Sequence, residues 1–259
     1  MALCCALMAC TAEDLPGQMP AQEPSVEPSG SPSAAVPADA LAGATIVIDA
    51  GHQLGNRNFP RADRLVPAGG FTKTCNGTGT ATNAGFPEAT FNFRVATRLK
   101  RQLERHGATV VMTRTRNSAD LAGPCVDVRG LAGNDIGADL KVSIHADGSY
   151  TDGQGFHVIA PTDRAPWTDD IYRSSKRLAH AAKRGLIRAG FSPADYVAGG
   201  DGLDFRADLA TLNLSDIPTV LVETGNMRNA HEARVMSSRH GQYRYARGLL
   251  RGIRIFLTR

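Results

Sequence analysis

Aromatic residues are scarce in this chain of 259 residues, at 6% with a single Trp, and hydrophobic residues make up 42%. Both values suit a soluble globular domain. No apolar stretch approaches the roughly 18 residues that a membrane-spanning helix needs. Charge of either sign is not in large excess: 29 Lys and Arg face 25 Asp and Glu, a net +4. No nucleic-acid motif is visible, so no nucleic-acid partner is expected. The basic residues are mostly Arg spread along helices, such as Arg94, Arg98, Arg101 and Arg105. A solvated helix face accounts for them; weak attraction to an anionic polymer such as a cell wall is the other reading. No internal repeat, P-loop or dinucleotide-binding glycine fingerprint is present. His231-Glu232 starts like a zincin motif, but position 235 is Val, which disfavours a thermolysin-like protease. No Ser lies in a Gly-x-Ser-x-Gly setting, which disfavours a serine hydrolase.

What is there begins with an unusual N-terminus. Residues 1–10 are small and apolar and end in Leu7-Met8-Ala9-Cys10, which resembles a lipobox without a basic n-region. Residues 11–41 are rich in Pro, Ser, Ala and Glu, a composition that cannot bury a core and reads as a tether. Residues 42–259 suffice for one α/β domain. Of the five cysteines, Cys4 and Cys5 would leave on cleavage before Cys10. Cys10 would carry the lipid anchor. Cys75 and Cys125 lie in Gly/Asn/Pro-rich loops, where a disulfide would pin two loops together, or two surface thiols would stay free. An exported chain, secreted or membrane-anchored at the cell wall, is expected.

The elements alternate. Strands are expected near 44–49, 108–113, 139–145, 155–160, 208–213 and 218–223. Helices are expected over 88–106, 126–137, 168–189, 229–237 and 242–257, the last with Tyr243, Ala246, Leu250, Ile253 and Leu257 on one face. Pro87 and Gly107 punctuate the first helix. Residues 53–87 form a long loop, and such loops are usually functional. The fold class is α/β, a single domain with a mostly parallel twisted sheet flanked by helices on both faces.

Three of these strands stop at residues suited to chemistry. Ile46-Val47-Ile48-Asp49-Ala50-Gly51 ends at His52, Leu140 to Ile144 at His145, and Thr219 to Val222 at Glu223. In an open parallel sheet the carboxyl ends share one edge, where ligands bind. His52, His145 and Glu223 therefore meet without a loop to bring them together, which suggests a metal hydrolase. Hydrolytic zinc takes three protein ligands and leaves one position for water. The best third ligand is Glu88, although an acidic residue at a helix start is also favoured by the helix dipole alone. Asp49 and Asp147 flank the histidines, either orienting ring nitrogens or bonding loop amides. Glu223 suits a general base in a partly dry site. His106 reads as a helix cap, and His157 as a packed or half-exposed strand residue.

Taken in order, these pieces resemble the zinc-dependent N-acetylmuramoyl-L-alanine amidases of the amidase-3 type. The match runs through Ile46 to His52, Glu88 ahead of Asn92-Phe93, Thr113-Arg114, Arg129 to Asn134, Ser143 to Asp147, and Val222-Glu223-Thr224-Gly225-Asn226. It is most similar to the branch found in high-GC Gram-positive bacteria. The resemblance implies Zn2+ held by His52, Glu88 and His145, with Glu223 as the catalytic carboxylate. It implies hydrolysis of the amide between N-acetylmuramic acid and L-alanine in peptidoglycan. Many relatives carry Gly-Gly where this chain has Gln53-Leu54. Some insert a blocking helix after the second histidine strand, and the stretch from Asp147 to Trp167 is too short and Gly-rich for one. An open site in a monomer is expected. A zinc peptidase or deacetylase acting on another wall bond, and a catalytically silent wall-binding domain, are the alternatives.

Overall fold

The structure, a computed structural model, describes residues 40–149 and 152–258. The expected lipobox at 1–10 and the expected tether up to residue 39 lie outside the described residues. At the start of the described part Leu41 is buried, and its amide donates to the His106 carbonyl.

A six-stranded sheet organises the domain. Its strands are β1 (Thr45–Ala50), β4 (Thr109–Met112), β5 (Leu140–Asp147), β6 (His157–Pro161), β7 (Leu203–Arg206) and β8 (Thr219–Asn226). They lie in the order β4-β1-β5-β8-β6-β7. The first four are mutually parallel; β6 is antiparallel to β8 and parallel to β7. The carboxyl ends of β1, β5 and β8 therefore share one edge with the amino end of β6.

Alternation along the strands separates two unequal faces. Ile46, Ile48, Leu140, Val142, Ile144, Val220, Val222 and Val158 point into the main apolar core. There they meet α1 (Glu88–Arg105), α3 (Tyr172–Ile187) and α6 (Arg239–Leu257). Phe91, Val95, Leu99 and Leu103 of α1 recur at helical spacing and are fully buried, each contributing roughly 1.5–3 kcal/mol. The other face carries Val47, Asp49, Lys141, Ser143, His145, Leu221, Glu223 and Ile159. It is covered in part by two short helices, α2 (Val126–Leu131) and α4 (Ala210–Asn213). His145 and Glu223, two of the candidate site residues, lie on this thinner, more polar face.

Several elements differ from the sequence expectation. The 53–87 segment holds an antiparallel hairpin of β2 (Leu65–Pro67) and β3 (Thr72–Thr74). Gly69 and Gly70 turn it at φ of 84° and 86°, and strands of three residues are too short to show a period. The strand expected at 208–213 is the single helical turn α4, whose Leu212 packs on Ile159 and Leu221. The strand of that region is β7, earlier in the chain. The helix expected over 126–137 stops at Leu131 as the chain turns through Gly133 and Gly137 at positive φ. α5 (Ala230–Ser237) is capped by Asn229. On α6, Tyr243 is 44% exposed. Tyr245 takes the buried place expected of it, stacked on Phe191 at 3.9 Å between ring centroids.

Candidate metal centre

Just past β1, Gly51 passes beside the ring of His145, and His52 turns at φ 60°. A non-glycine residue in that region is uncommon and tends to occur at functional sites. The buried Arg114 holds the turn. Its guanidinium donates to the carbonyls of Ala50 (2.8 Å), Gly51 (3.2 Å) and Ala89 (2.8 Å), tying the strand end to the start of α1. Burial lowers the Arg114 pKa to about 10, so it stays cationic at neutral pH.

His52 Nδ1 lies 2.8 Å from the Gly77 carbonyl, to which it donates, so Nε2 faces Glu88. This is the orienting contact that metal-binding imidazoles usually make. Gly77 also accepts from Asn56 Nδ2 at 2.7 Å. Two residues away Cys75 is joined to Cys125 by a disulfide.

Glu88, the first residue of α1, is 3% exposed. Its Oε2 accepts from the Thr80 amide at 2.9 Å, and its Oε1 from Asn92 Nδ2 at 3.0 Å. The same Oε1 lies 3.1 Å from His145 Nδ1 and 3.4 Å from His52 Nε2. Burial would raise the Glu88 pKa, but the two imidazoles hold it well below the usual carboxylate range. Burial pulls the His52 pKa down, yet Glu88 brings it above its ordinary value. For His145 burial prevails and the pKa is lowered.

A buried ion pair supports this cluster from below. Burial would raise the Asp49 carboxyl, but Arg129 outweighs it and holds the pKa far below normal. Arg129 Nε and Nη2 donate to Asp49 at 2.8 and 2.7 Å. Ser143 and Thr113 hydroxyls donate to the same carboxylate at 2.6 and 2.7 Å. Arg129 Nη2 also lies 2.9 Å from His145 Nε2. Asp49 therefore fixes Arg129, and Arg129 fixes the far side of the His145 ring. Asp147 bonds a loop amide, that of Gly148.

One ligand atom from each of His52, Glu88 and His145 can be chosen so that all lie within 4.8 Å of one another. Two imidazole nitrogens and a carboxylate oxygen around one point suit zinc, leaving a fourth position open. This is the one such group found among the described residues. A pocket of about 180 Å³ opens on His52 and His145, bordered by Lys73, Arg129, Leu209 and Leu221. Among the described residues of 148–167 there is no helix. His106 caps α1, and His180, His231 and His240 lie on α3, α5 and α6.

Glu223 occupies the position of β8 directly paired with His145. Its Oε2 is shielded from solvent and has no hydrogen-bond partner among the described residues. Burial raises its pKa well above the usual range, and the charges of Glu88 and Asp147 add to the rise against Arg206. The roles of Arg114, Asn92 and Arg129 were not read from the sequence. All three stand in the segments that carry the family resemblance, but what they bind is not readable there: Arg129 reaches Asp49 80 residues away and Arg114 reaches Ala50 64 residues away, while Asn92 bonds Glu88 one helical turn back.

Known proteins share both the sequence and the fold of this chain. Residues 46–254 match the family model described as Amidase_3, N-acetylmuramoyl-L-alanine amidase. The N-acetylmuramoyl-L-alanine amidase Rv3717 of Mycobacterium tuberculosis is 39% identical over 226 residues, 86% of this chain and 90% of that protein. The crystal structure of the N-acetylmuramyl-L-alanine amidase Ami1 from Mycobacterium smegmatis superposes with a TM-score of 0.78 at 37% identity, covering 84% of this chain and 98% of that one. The apo form of Ami1 from Mycobacterium abscessus gives 0.77 at 39% identity, covering 83% and 99%. The chain belongs to the amidase-3 family of N-acetylmuramoyl-L-alanine amidases.

Proposed function

We propose that this amidase is zinc-dependent, with His52, Glu88 and His145 as the metal ligands and Glu223 as the group that moves the proton. The observation that carries the reading is the convergence of the three ligand atoms within 4.8 Å, with Glu223 at the strand position paired with His145. When bound, zinc polarises the scissile carbonyl and makes a water acidic enough to attack near neutral pH. Glu223 in its carboxylate form, which the charge of a bound metal ion would favour against burial, takes a proton from the attacking water as its oxygen bonds to the lactyl carbonyl carbon. The C–N bond to L-alanine then breaks, and Glu223 returns that proton to the departing nitrogen. The products are a glycan carrying a free lactyl carboxylate and a peptide with a free L-alanine amino terminus. Gly77 fixes the orientation of the His52 ring and Arg129 borders the far side of the His145 ring.

Action outside the cytoplasm fits the reading. A disulfide such as Cys75–Cys125 persists in oxidising compartments. No helix among the described residues is long and apolar enough to cross a membrane. The resemblance of Leu7-Met8-Ala9-Cys10 to a lipobox supports either secretion or attachment through lipid on Cys10. Mass spectrometry of the mature N-terminus tests the anchor.

Digestion of purified peptidoglycan tests the reaction. Expected are new L-alanine amino termini with intact glycan. A new amine elsewhere supports a peptidase or deacetylase, and retained wall binding without release supports a silent domain. Glu223→Gln is expected to keep its zinc and lose turnover by at least about 10²-fold. Activity surviving that change removes Glu223 from the role.

A further inference from the structure

His157, the first residue of β6, pairs across the sheet with Glu223 on β8. Because β6 runs antiparallel to β8, its amino end reaches the catalytic edge. Across β5, β8 and β6 this places His145, Glu223 and His157 side by side. Directly opposed residues on neighbouring antiparallel strands hold their Cβ atoms about 4.5–5.5 Å apart. One strand further, His157 lies roughly 10 Å from the His145 position, beyond coordinating reach of the metal centre but beside Glu223.

The imidazole is 4% exposed, and its Nδ1 has no hydrogen-bond partner among the described residues. Glu223 Oε2 is in the same condition. The ring of Tyr196 meets His157 edge-on at 6.5 Å between centroids. Buried polar atoms in native proteins are nearly always paired, and each exception needs a reason. Here a potential donor and a potential acceptor without partners occupy neighbouring positions at the site. The charged groups around His157 are Asp147 at the end of β5 and Asp204 and Arg206 on β7. None of them makes a hydrogen bond to its Nδ1.

We propose that His157 is a positioning residue for Glu223: in the working enzyme its Nδ1–H donates to Glu223 Oε2, directly or through one water. The bond keeps Oε2 occupied and leaves Oε1 to receive and return the proton. The proposal rests on the reading of Glu223 as the proton-moving group.

Two isosteric replacements give the test. The Asn amide nitrogen reaches the place of imidazole Nδ1, whereas that of Gln reaches the place of Nε2. On zinc-loaded protein, His157→Asn is expected to keep kcat within about threefold of wild type. His157→Gln is expected to lose about tenfold in kcat with KM unchanged within twofold. Zinc content and melting temperature should be alike in the two variants. In the Glu223→Gln background His157→Gln should cause no further loss, as for residues acting as a unit. In ¹⁵N-detected NMR the wild-type imidazole should carry its proton on Nδ1. Equal kcat in the Asn and Gln variants, or an Nε2–H tautomer, overturns the proposal. If Glu223→Gln itself remains active, the underlying assignment of Glu223 fails instead.

Discussion

Replacing Gly51 by Ala tests the metal centre through a single methyl group. A Cβ built on Gly51 lies 2.6 Å from His145 Nδ1 and closer still to two other atoms of that ring. Ordinary van der Waals contact begins at 3.4 Å. The nearest ring atom, Cε1, lies at 2.3 Å, so the ring must withdraw by roughly 1.1 Å, against the ~0.2 Å latitude of a metal–ligand distance. It cannot swing away freely: His145 is 7% exposed and is bounded by Glu88 at 3.1 Å and Arg129 at 2.9 Å. Gly51 does not occupy the left-handed region that glycine alone favours, so the backbone itself accepts Ala. The expected outcome is a folded protein with zinc affinity reduced at least about 100-fold, the upper end of what disturbed ligand orientation costs. Competition with a chromophoric chelator measures the affinity, and circular dichroism checks the fold. A Gly51→Ala protein that binds zinc as tightly as wild type refutes the assignment of His145 as a ligand in this geometry.

Other perturbations probe the frame around the site. Arg129→Met leaves the Asp49 carboxylate buried without its cation and is expected to cost about 3–5 kcal/mol in denaturant unfolding. Because the folded-state pKa of Asp49 is depressed, its contribution is present above the unfolded value near pH 4 and disappears as pH falls toward the folded one. The gap between wild type and Arg129→Met should therefore narrow on acidification, beginning where the uncompensated buried carboxyl of the variant takes up its proton, above the unfolded value near pH 4. Lys141 is fully buried against the Gly130 carbonyl, and burial lowers its pKa to about 8. Since the unfolded chain holds that proton up to about pH 10.4, wild type should gain stability relative to Lys141→Met between pH 8 and that value. A constant difference across the window removes the charged lysine from the explanation. Replacing both Cys75 and Cys125 by Ser opens a loop of 50 residues, with an expected loss of about 4 kcal/mol. It should also weaken zinc binding, since the segment it frees presents the Gly77 carbonyl to His52. Unchanged affinity separates the disulfide from the site.

The parts of the site that were legible in the sequence are those set by local pattern. His52, His145 and Glu223 each follow a short β-branched run, and parallel pairing brings strand ends together whatever the intervening loops do. Glu88 follows Pro87 at a helix start and was readable as a candidate ligand only beside the histidines. Less legible were contacts between residues far apart in the chain. Arg129 is an ordinary helical arginine until Asp49 is seen beneath it. His157 resembled a packed strand residue because nothing local reveals that β6 runs antiparallel to β8 and opposes Glu223. The same limit explains the misplaced strand at 208–213. Leu209 and Leu212 carry the apolar signal there, and tertiary contact with Ile159 and Leu221 makes it a helical turn.

The two faces of the sheet divide the work. The apolar face against α1, α3 and α6 supplies most of the buried hydrophobic contact. The polar face holds a connected set of side chains from Asp49 through Arg129 to His145 and Glu88. The end of β1, the start of α1 and β5 thus present the three candidate ligands, and buried partners fix their orientations before substrate arrives, the preorganisation that hydrolysis needs. X-ray absorption at the zinc edge of the loaded protein tests this arrangement most directly. Expected is a first shell of nitrogen and oxygen at about 2.0–2.2 Å with the multiple scattering of two imidazoles, lost in part in Glu88→Ala and His145→Ala. A shell containing sulfur near 2.3 Å, or one unchanged by those substitutions, would contradict it.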